Sequence, residues 1–388
     1  MVKSPLSCVA VKTAAVRRRS PVTIQPQKST MFFPRQVLQE CMIESVTDTN
    51  TLNFKYGSFF SGMDSPATAL DLVFTGDERL HHLQLEHTFC VEKNLAAQLC
   101  LTYNYGFKKV FSDVTRLDVG QLEFVHLFHW SPSCVPFSKA GTKTGSEHKD
   151  GDHFGYGLKF LNKRKPPIWT AEQVLHIATA RRHKKMWTRM VRGCKRSAGG
   201  MYHVWTWAAN ARDYGLPQNR ERVIMLGVAK NLLAKLVKPL TFLPLKARKM
   251  LSVESLLDGP GETEIPESDV FVQNLTESLK QILKKGLDPT ATCFVLDLGG
   301  SKPHWSRICP CLTATRCSAG AYYITKHFRF LTVNEMAKIQ GFHCGFKWPP
   351  VRQVSVRQQG LMIGNSIPVP MMQAAYCQLG EIFLRAVG

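Results

Sequence analysis

From residue 54 onward the chain alternates short apolar runs with stretches of helical spacing. Seven runs read as strands: "FKYGSFF" (54–60), "HTFCVE" (87–92), "KKVFSD" (108–113), "FVHLFHW" (124–130), "PPIWTAEQV" (166–174), "MYHVWTWAA" (201–209) and "RVIMLGVA" (222–229). Helical stretches such as "SPATALDLVF" and "KNLAAQLCLTYN" fall between them. Strands that alternate with helices predict an α/β fold, with a mostly parallel sheet covered by helices on both faces. After about residue 230 the alternation fades, and a small irregular lobe is expected at 231–308. Regular structure resumes with "RFLTVNEMAKIQGF", a helix with Thr332 as its cap. The chain closes on "PVPMMQAAYCQLGEIFLRAV", read as one amphipathic helix opened by proline. The expected division is a basic tail at 1–48, a main domain at 49–230 and 309–388, and the lobe between.

Charge changes this picture more than composition does. The hydrophobic fraction, 44%, is ordinary, but the net charge of +21 and pI near 9.6 are one-sided. Such a balance points to a polyanionic partner, nucleic acid above all. The run "ARRHKKMWTRMVRGCKR" (180–196) suits phosphate contact through Arg181, Arg182, Lys184 and Lys185; the competing reading is a solvated helix face. The first 39 residues hold no Asp or Glu but include "VRRRS". That tail fits a nuclear signal, a DNA-binding arm or an organelle transit peptide, and the nucleus is the expected location, with chloroplast or mitochondrion as alternatives. No segment reaches the roughly 18 apolar residues of a membrane span, so no membrane partner is expected.

The 12 cysteines carry no CxxC pair and indicate a reducing compartment. "CPC" at 309–311, with Cys317, His304 and His327 nearby, raises the question of a zinc site. Its spacing fits no standard ligand pattern, and no metal is expected.

In a parallel α/β sheet, ligands bind beyond the carboxyl ends of the strands. Residues at those ends are therefore the candidates. "FFSGMDSPA" follows the first strand with small residues that let backbone approach a ligand. Glu92 ends the second strand, where an acid grips ribose hydroxyls in nucleotide-type folds. Asp113 ends the third, placed for an adenine amino group. Cys134 follows the fourth strand and Glu172 the fifth, so a thiol and a carboxylate face one crevice. "QNRER" sets Arg220 and Arg222 just before the seventh strand; arginine lowers a thiol's pKa and clamps carboxylates.

Together these segments resemble the cytosine-5 DNA methyltransferase family over about residues 54–380. "FFSGMDSPATAL" is similar to the family's cofactor loop, and "CVEKN" and "SDV" to its next two cofactor motifs. "PSCVPFS" resembles the Pro-Cys-Gln catalytic loop, "EQV" the Glu-Asn-Val motif and "QNRER" the Gln-x-Arg-x-Arg motif. "RFLTVNEMAKIQGF" and "IGNSIPVP" resemble the last two motifs, in order. The departures are Ser133 and Val135 on either side of Cys134, Gln173 in place of an Asn that fixes the cysteine loop, and Asp64 and Ser65 where glycines are common.

The resemblance implies a Rossmann-like catalytic domain with a target-recognition lobe at 231–308, and S-adenosyl-L-methionine as methyl donor. It implies donor contacts from Phe60, Ser61, Gly62, Met63, Asp64, Glu92, Asp113, Val114, Pro132, Asn365 and Ser366. Cys134, Glu172, Arg220 and Arg222 would carry catalysis, while Ser138 and Lys139 would meet nucleic acid on a glycine-rich loop that closes over the base. The implied reaction is methyl transfer to carbon 5 of cytosine in DNA, through a cysteine adduct on a flipped-out base, by an enzyme expected to be monomeric. Two alternatives stay open. One is tRNA as substrate, although the Cys-Phe-Thr motif expected of that branch is not visible. The other is an inactive DNA-binding homologue, against which Cys134 and Glu172 argue.

Overall fold

The computed structural model describes residues 52–132, 153–240, 242, 247, 249–261, 268–343 and 345–388. All seven predicted strands form: β1 (Leu52–Phe59), β2 (Leu83–Val91), β3 (Lys109–Phe111), β4 (Leu127–Trp130), β5 (Ile168–Val174), β6 (Tyr202–Asn210) and β7 (Glu221–Ala229). They make one sheet in the order β3-β2-β1-β4-β5-β7-β6. Every neighbouring pair is parallel except those with β7, which runs antiparallel to both β5 and β6. The cause is the link between β6 and β7. Only a 3₁₀ turn (Ala211–Tyr214) lies there, so the chain reverses directly instead of crossing over through a helix.

Helices α1 (Ser65–Gly76), α2 (Leu95–Tyr105), α3 (Phe154–Arg164), α4 (His176–Thr179) and α5 (Lys184–Gly200) join these strands, and α6 (Lys230–Ala234) leaves the last. Both sheet faces are covered. One core gathers Phe54, Tyr56, Ile224 and Tyr376, the other Phe59, Phe128, Trp130 and Trp169. Burial on two faces is why β4 and β5 read as continuous apolar runs rather than alternating ones.

The later chain adds α7 (Asp269–Lys284) and a four-stranded sheet, β11-β10-β8-β9, built from β8 (Val295–Asp297), β9 (Trp305–Ser306), β10 (Tyr322–Ile324) and β11 (Arg329–Phe330). This sheet pairs antiparallel throughout and continues to Phe330, past residue 308. It belongs to the same compact unit as the large sheet. Thr332 caps α9 (Val333–Ile339) through a capping box with Glu335, as the sequence predicts. Between β9 and α9 lies α8 (Ala314–Ser318), and α10 (Val356–Asn365) follows α9. The final stretch is two helices rather than one: α11 (Val369–Tyr376) and α12 (Gly380–Val387), parted by a 3₁₀ turn at Cys377–Leu379. At that turn Gly380 lies so close to Arg79 that a Cβ would meet its Nη2 at 2.8 Å.

Candidate active site

Strand register sets the site. Phe111, Val91, Phe59, Trp130 and Ala171 lie side by side across β3, β2, β1, β4 and β5. The residues just beyond them, Glu92, Phe60, Ser131 and Glu172, therefore share one edge of the sheet. Glu172 is still inside β5, paired with Ile224, rather than after the strand as the sequence suggests. Because β7 is antiparallel, its first residues reach the same edge, and Arg222 lands opposite Val174.

This brings Glu172 and Arg222 together. Arg222 Nε lies 2.7 Å from Glu172 Oε1, and the Ser131 hydroxyl donates to Oε2 at 2.6 Å. Both partners of the ion pair are buried. The carboxylate plane is thus held from two sides by charge-assisted and hydroxyl bonds. Neighbouring Gln173 donates its Nε2 to the Pro132 carbonyl at 2.6 Å. The longer amide in place of Asn therefore still grips the chain two residues before Cys134. Cys134, Ser138, Lys139 and most of the glycine-rich loop lie outside the described residues.

Arg220 is not part of that pair. Its guanidinium is buried and donates to the carbonyls of Leu312 at 2.6 Å, Gly364 at 3.0 Å and Ser366 at 2.6 Å. A further contact reaches Cys311 Sγ at 3.4 Å. Arg220 thus ties the start of β7 to the segments before α8 and after α10. Gly364 allows the approach, because a Cβ there would sit 2.2 Å from the Ala314 nitrogen.

The donor-site candidates divide into two groups. Glu92 lies at the edge, its Oε2 accepting from Gly62 N at 2.7 Å and Oε1 from Asn94 N at 2.8 Å. Gly62 has φ +56, and nothing lies within 4 Å of where its Cβ would be, so the loop opens onto free space. Phe60, with φ +57, stacks on His153. Asp113 is held below the usual carboxylate range by hydrogen bonds from the Thr115 hydroxyl and backbone. Val114 is buried beside it and Asn365 is exposed.

Met63, Asp64 and Ser366 turn inward instead, all three buried. Asp64 caps α1 by accepting from Ala67 N, and it also accepts from the Tyr56 and Ser58 hydroxyls at 2.6 Å each. Burial pushes its carboxyl up from the usual range, against those three bonds. It is a structural cap rather than an open ligand. Ser61 bonds Ser58, the Met63 carbonyl accepts from Tyr105, and Ser366 accepts from Gln340. Sequence reasoning missed Ser131 as a partner of Glu172; only the register of β4 against β5 reveals it.

The profile of C-5 cytosine-specific DNA methylases matches residues 54–381. The chain belongs to this family. Among its relatives is the Type II methyltransferase M.NgoBI of Neisseria gonorrhoeae, 25% identical over 293 residues, which are 74% of this chain and 84% of that one. M.MthTI of Methanothermobacter thermautotrophicus is 25% identical over 346 residues, 83% of this chain and 96% of that one. Among solved structures, EhMeth of Entamoeba histolytica superposes with a TM-score of 0.56 at 17% identity, covering 85% of this chain and 99% of that one. Spodoptera frugiperda DNMT2 gives 0.54 at 14%, covering 84% and 99%. At these identities the structures show a shared fold. Enzyme class and fold agree with what the motifs implied.

The basic run lies on α5 and the turn before it. Arg181, Arg182, Lys184, Lys185, Arg189, Arg192, Lys195 and Arg196 are all exposed, while Met190 and Cys194 face the core. Since β5 and β6 run the same way, α5 descends between them. Arg181 to Lys185 therefore sit near the edge that carries Glu172, and Lys195 and Arg196 sit toward the opposite edge. Arg182 also bonds His176 and His183. Among the described residues, no cluster of three or more His, Cys, Asp or Glu could hold a metal, and no helix is long and apolar enough to cross a membrane.

Proposed function

We propose that the protein transfers a methyl group from S-adenosyl-L-methionine to carbon 5 of cytosine in DNA through a covalent Cys134 adduct. The observation that carries this is Glu172, clamped between Arg222 and Ser131 at the strand edge from which the Cys134 segment departs. Carbon 5 of cytosine is a weak nucleophile. Attack by the Cys134 thiolate on carbon 6 makes it enamine-like, and the Glu172 carboxyl at ring nitrogen 3 stabilises that adduct. Arg222 and Ser131 fix the carboxyl's direction, and Gln173 fixes the backbone that leads to the thiol. Arg220 supports the same edge from behind by tying it to the C-terminal segments.

The donor supplies an electrophilic methyl when bound. Phe60, Gly62, Glu92, Asp113, Val114, Pro132 and Asn365 are the residues that would hold it. Glu92 still has lone pairs beside the open space above Gly62, which suits ribose hydroxyls. Neither ring face of cytosine can be reached inside a duplex, so the base is read as flipped out. The net charge of +21 supports a polyanionic substrate, and the "VRRRS" tail supports action in the nucleus. Incubation with labelled donor and either DNA or tRNA tests the reading. Label should appear as 5-methylcytosine in DNA; label confined to tRNA would overturn the substrate.

A further inference from the structure

Helix α5 carries its charge as a stripe. Lys185, Arg189, Arg192 and Arg196 recur at helical spacing, so all four stand on one face of the helix. Met190 and Cys194 lie on the opposite face, packed into the core. The stripe therefore points straight out from the sheet. It runs from near the Glu172 edge to the last regular turn; beyond Arg196 the backbone breaks at Ser197, and Ala198 and Gly199 are left-handed. At 1.5 Å per residue, Lys185 to Arg196 spans about 17 Å.

Neighbouring α3 widens this stripe. Leu158 approaches Gly193 so closely that a Cβ there would meet its Cδ1 at 2.7 Å, and Ala198 N donates to Asn162 Oδ1 at 2.8 Å. Exposed Lys159 thus stands level with the middle of α5, while exposed Lys195 borders the stripe on its other flank.

What separates this face from the rest of the surface is its want of acids. Residues 154–200 hold 12 Lys and Arg against one acid, Glu172, which is buried with Arg222; the whole chain holds 50 against 29. Elsewhere surface cations have carboxylate partners: Lys108 with Glu86, Lys109 with Glu123, Arg385 with Glu381. Among the described residues, Lys159, Lys185, Arg192, Lys195 and Arg196 meet no carboxylate. Like charges gathered this densely repel one another, and a bound polyanion relieves that repulsion.

We propose that the stripe is a rail for the backbone of duplex DNA beside the target cytosine, and that it holds one flank only. This rests on the reading of DNA as substrate and goes beyond it by fixing where the rest of the duplex lies. A duplex at the Glu172 edge has two flanks, and α5 descends from that edge on one side. At about 3.4 Å per base pair the rail serves roughly five base pairs. An anionic membrane is a poor fit: a helix lying on lipid offers its apolar side, and here that side is in the core. Between the cations the outward face adds only Thr188, so it offers no apolar centre to a protein partner.

The test uses the full chain, S-adenosyl-L-methionine and linear duplex DNA of mixed sequence, with methylated cytosines located by sequencing on each strand. In the wild type, methylation should fall about tenfold as a cytosine comes within roughly five base pairs of one end, always the same end in strand polarity, and should persist nearer to the other. A variant combining Lys159→Gln, Arg192→Gln, Lys195→Gln and Arg196→Gln should lose that bias. Across a salt series, its binding to the same DNA should lose about three units of slope, at close to 0.9 for each phosphate contact. Arg192→Lys with Arg196→Lys keeps the charge and should keep both bias and slope. Two equal ends in the wild type, or a full salt slope in the glutamine variant, overturns the proposal. So do phosphatidylserine vesicles that bind the wild type and not the variant while DNA binding is unaltered. If DNA gains no methyl group while the variant still loses its slope, the reading of the substrate reaction fails and the rail stands.

Discussion

Glu172 has one bond on each carboxylate oxygen, from a cation and from a hydroxyl. Removing the cation leaves a buried anion without its partner, so Arg222→Ala should disturb the site more than any exposed change. Arg222→Lys keeps charge but loses the fixed fork of donors. It should lower kcat by about tenfold or more while circular dichroism stays unchanged. Arg220 should behave differently, although both arginines come from one motif. It serves three buried carbonyls, so Arg220→Ala should cost about 3 kcal/mol or more of stability, read as a lower midpoint in urea. An Arg222→Lys variant that loses as much stability as Arg220→Ala would contradict this division. The motif was legible in the sequence, but the division was not. Spacing places both side chains near the strand, and only tertiary contacts decide which one meets Glu172.

At the scale of elements, strands β4, β5 and β7 were legible because burial on both faces makes them short and largely apolar, whereas β3 and β6, at the sheet edges, are much less buried. The direction of β7 was not, since periodicity is the same in either direction. The small sheet was also hidden: its strands run only two or three residues, too short to show a period of two. The last helix read as one because its apolar stripe continues across the turn at Cys377–Leu379. Asp64 seemed a ligand by its place in a loop, yet its backbone turns the carboxyl into the core as a cap.

The start of α9 offers a sharper test. Arg329 binds both oxygens of Glu335, which also closes the capping box and accepts from Asp258 N. Burial raises the Glu335 carboxyl, but Arg329 and the two backbone donors outweigh it and hold the value below the usual one. A depressed folded value means that this contribution is complete above the unfolded value of about 4.3 and is lost as pH falls through the folded value. Glu335→Gln should cost about 3 to 5 kcal/mol at neutral pH, because it leaves Arg329 buried without its anion. It should also flatten the stability profile below about pH 4.3. An unchanged acid limb in the variant would show that other carboxylates govern it.

Across the whole molecule, charge is distributed with a direction. The exposed cations of α5 begin near the edge that carries Glu172 and run toward the opposite edge. If they track a nucleic-acid backbone, about six phosphate contacts would weaken binding roughly a thousandfold between 50 and 200 mM salt. Replacing Arg181, Arg182, Lys184 and Lys185 with glutamine should weaken binding to all sequences alike and flatten that slope, while leaving the chosen cytosine unchanged. Filter binding across a salt series checks the slope, and sequencing of methylated product checks the choice. A full slope in the variant would mean the helix is a solvated face.

In the proposed reaction Cys134 attacks cytosine in DNA while Glu172 steadies the ring. Its most direct measurement uses DNA of mixed sequence in which 5-fluorocytosine replaces cytosine. Fluorine at carbon 5 cannot leave as a proton does, so the adduct formed after methyl transfer cannot resolve. With S-adenosyl-L-methionine present, the wild type should accumulate a denaturation-resistant protein–DNA species whose crosslinked peptide maps to Cys134. Cys134→Ser should form none. A wild type that binds S-adenosylhomocysteine and DNA yet forms no adduct, or an adduct that maps to another cysteine, would contradict the account.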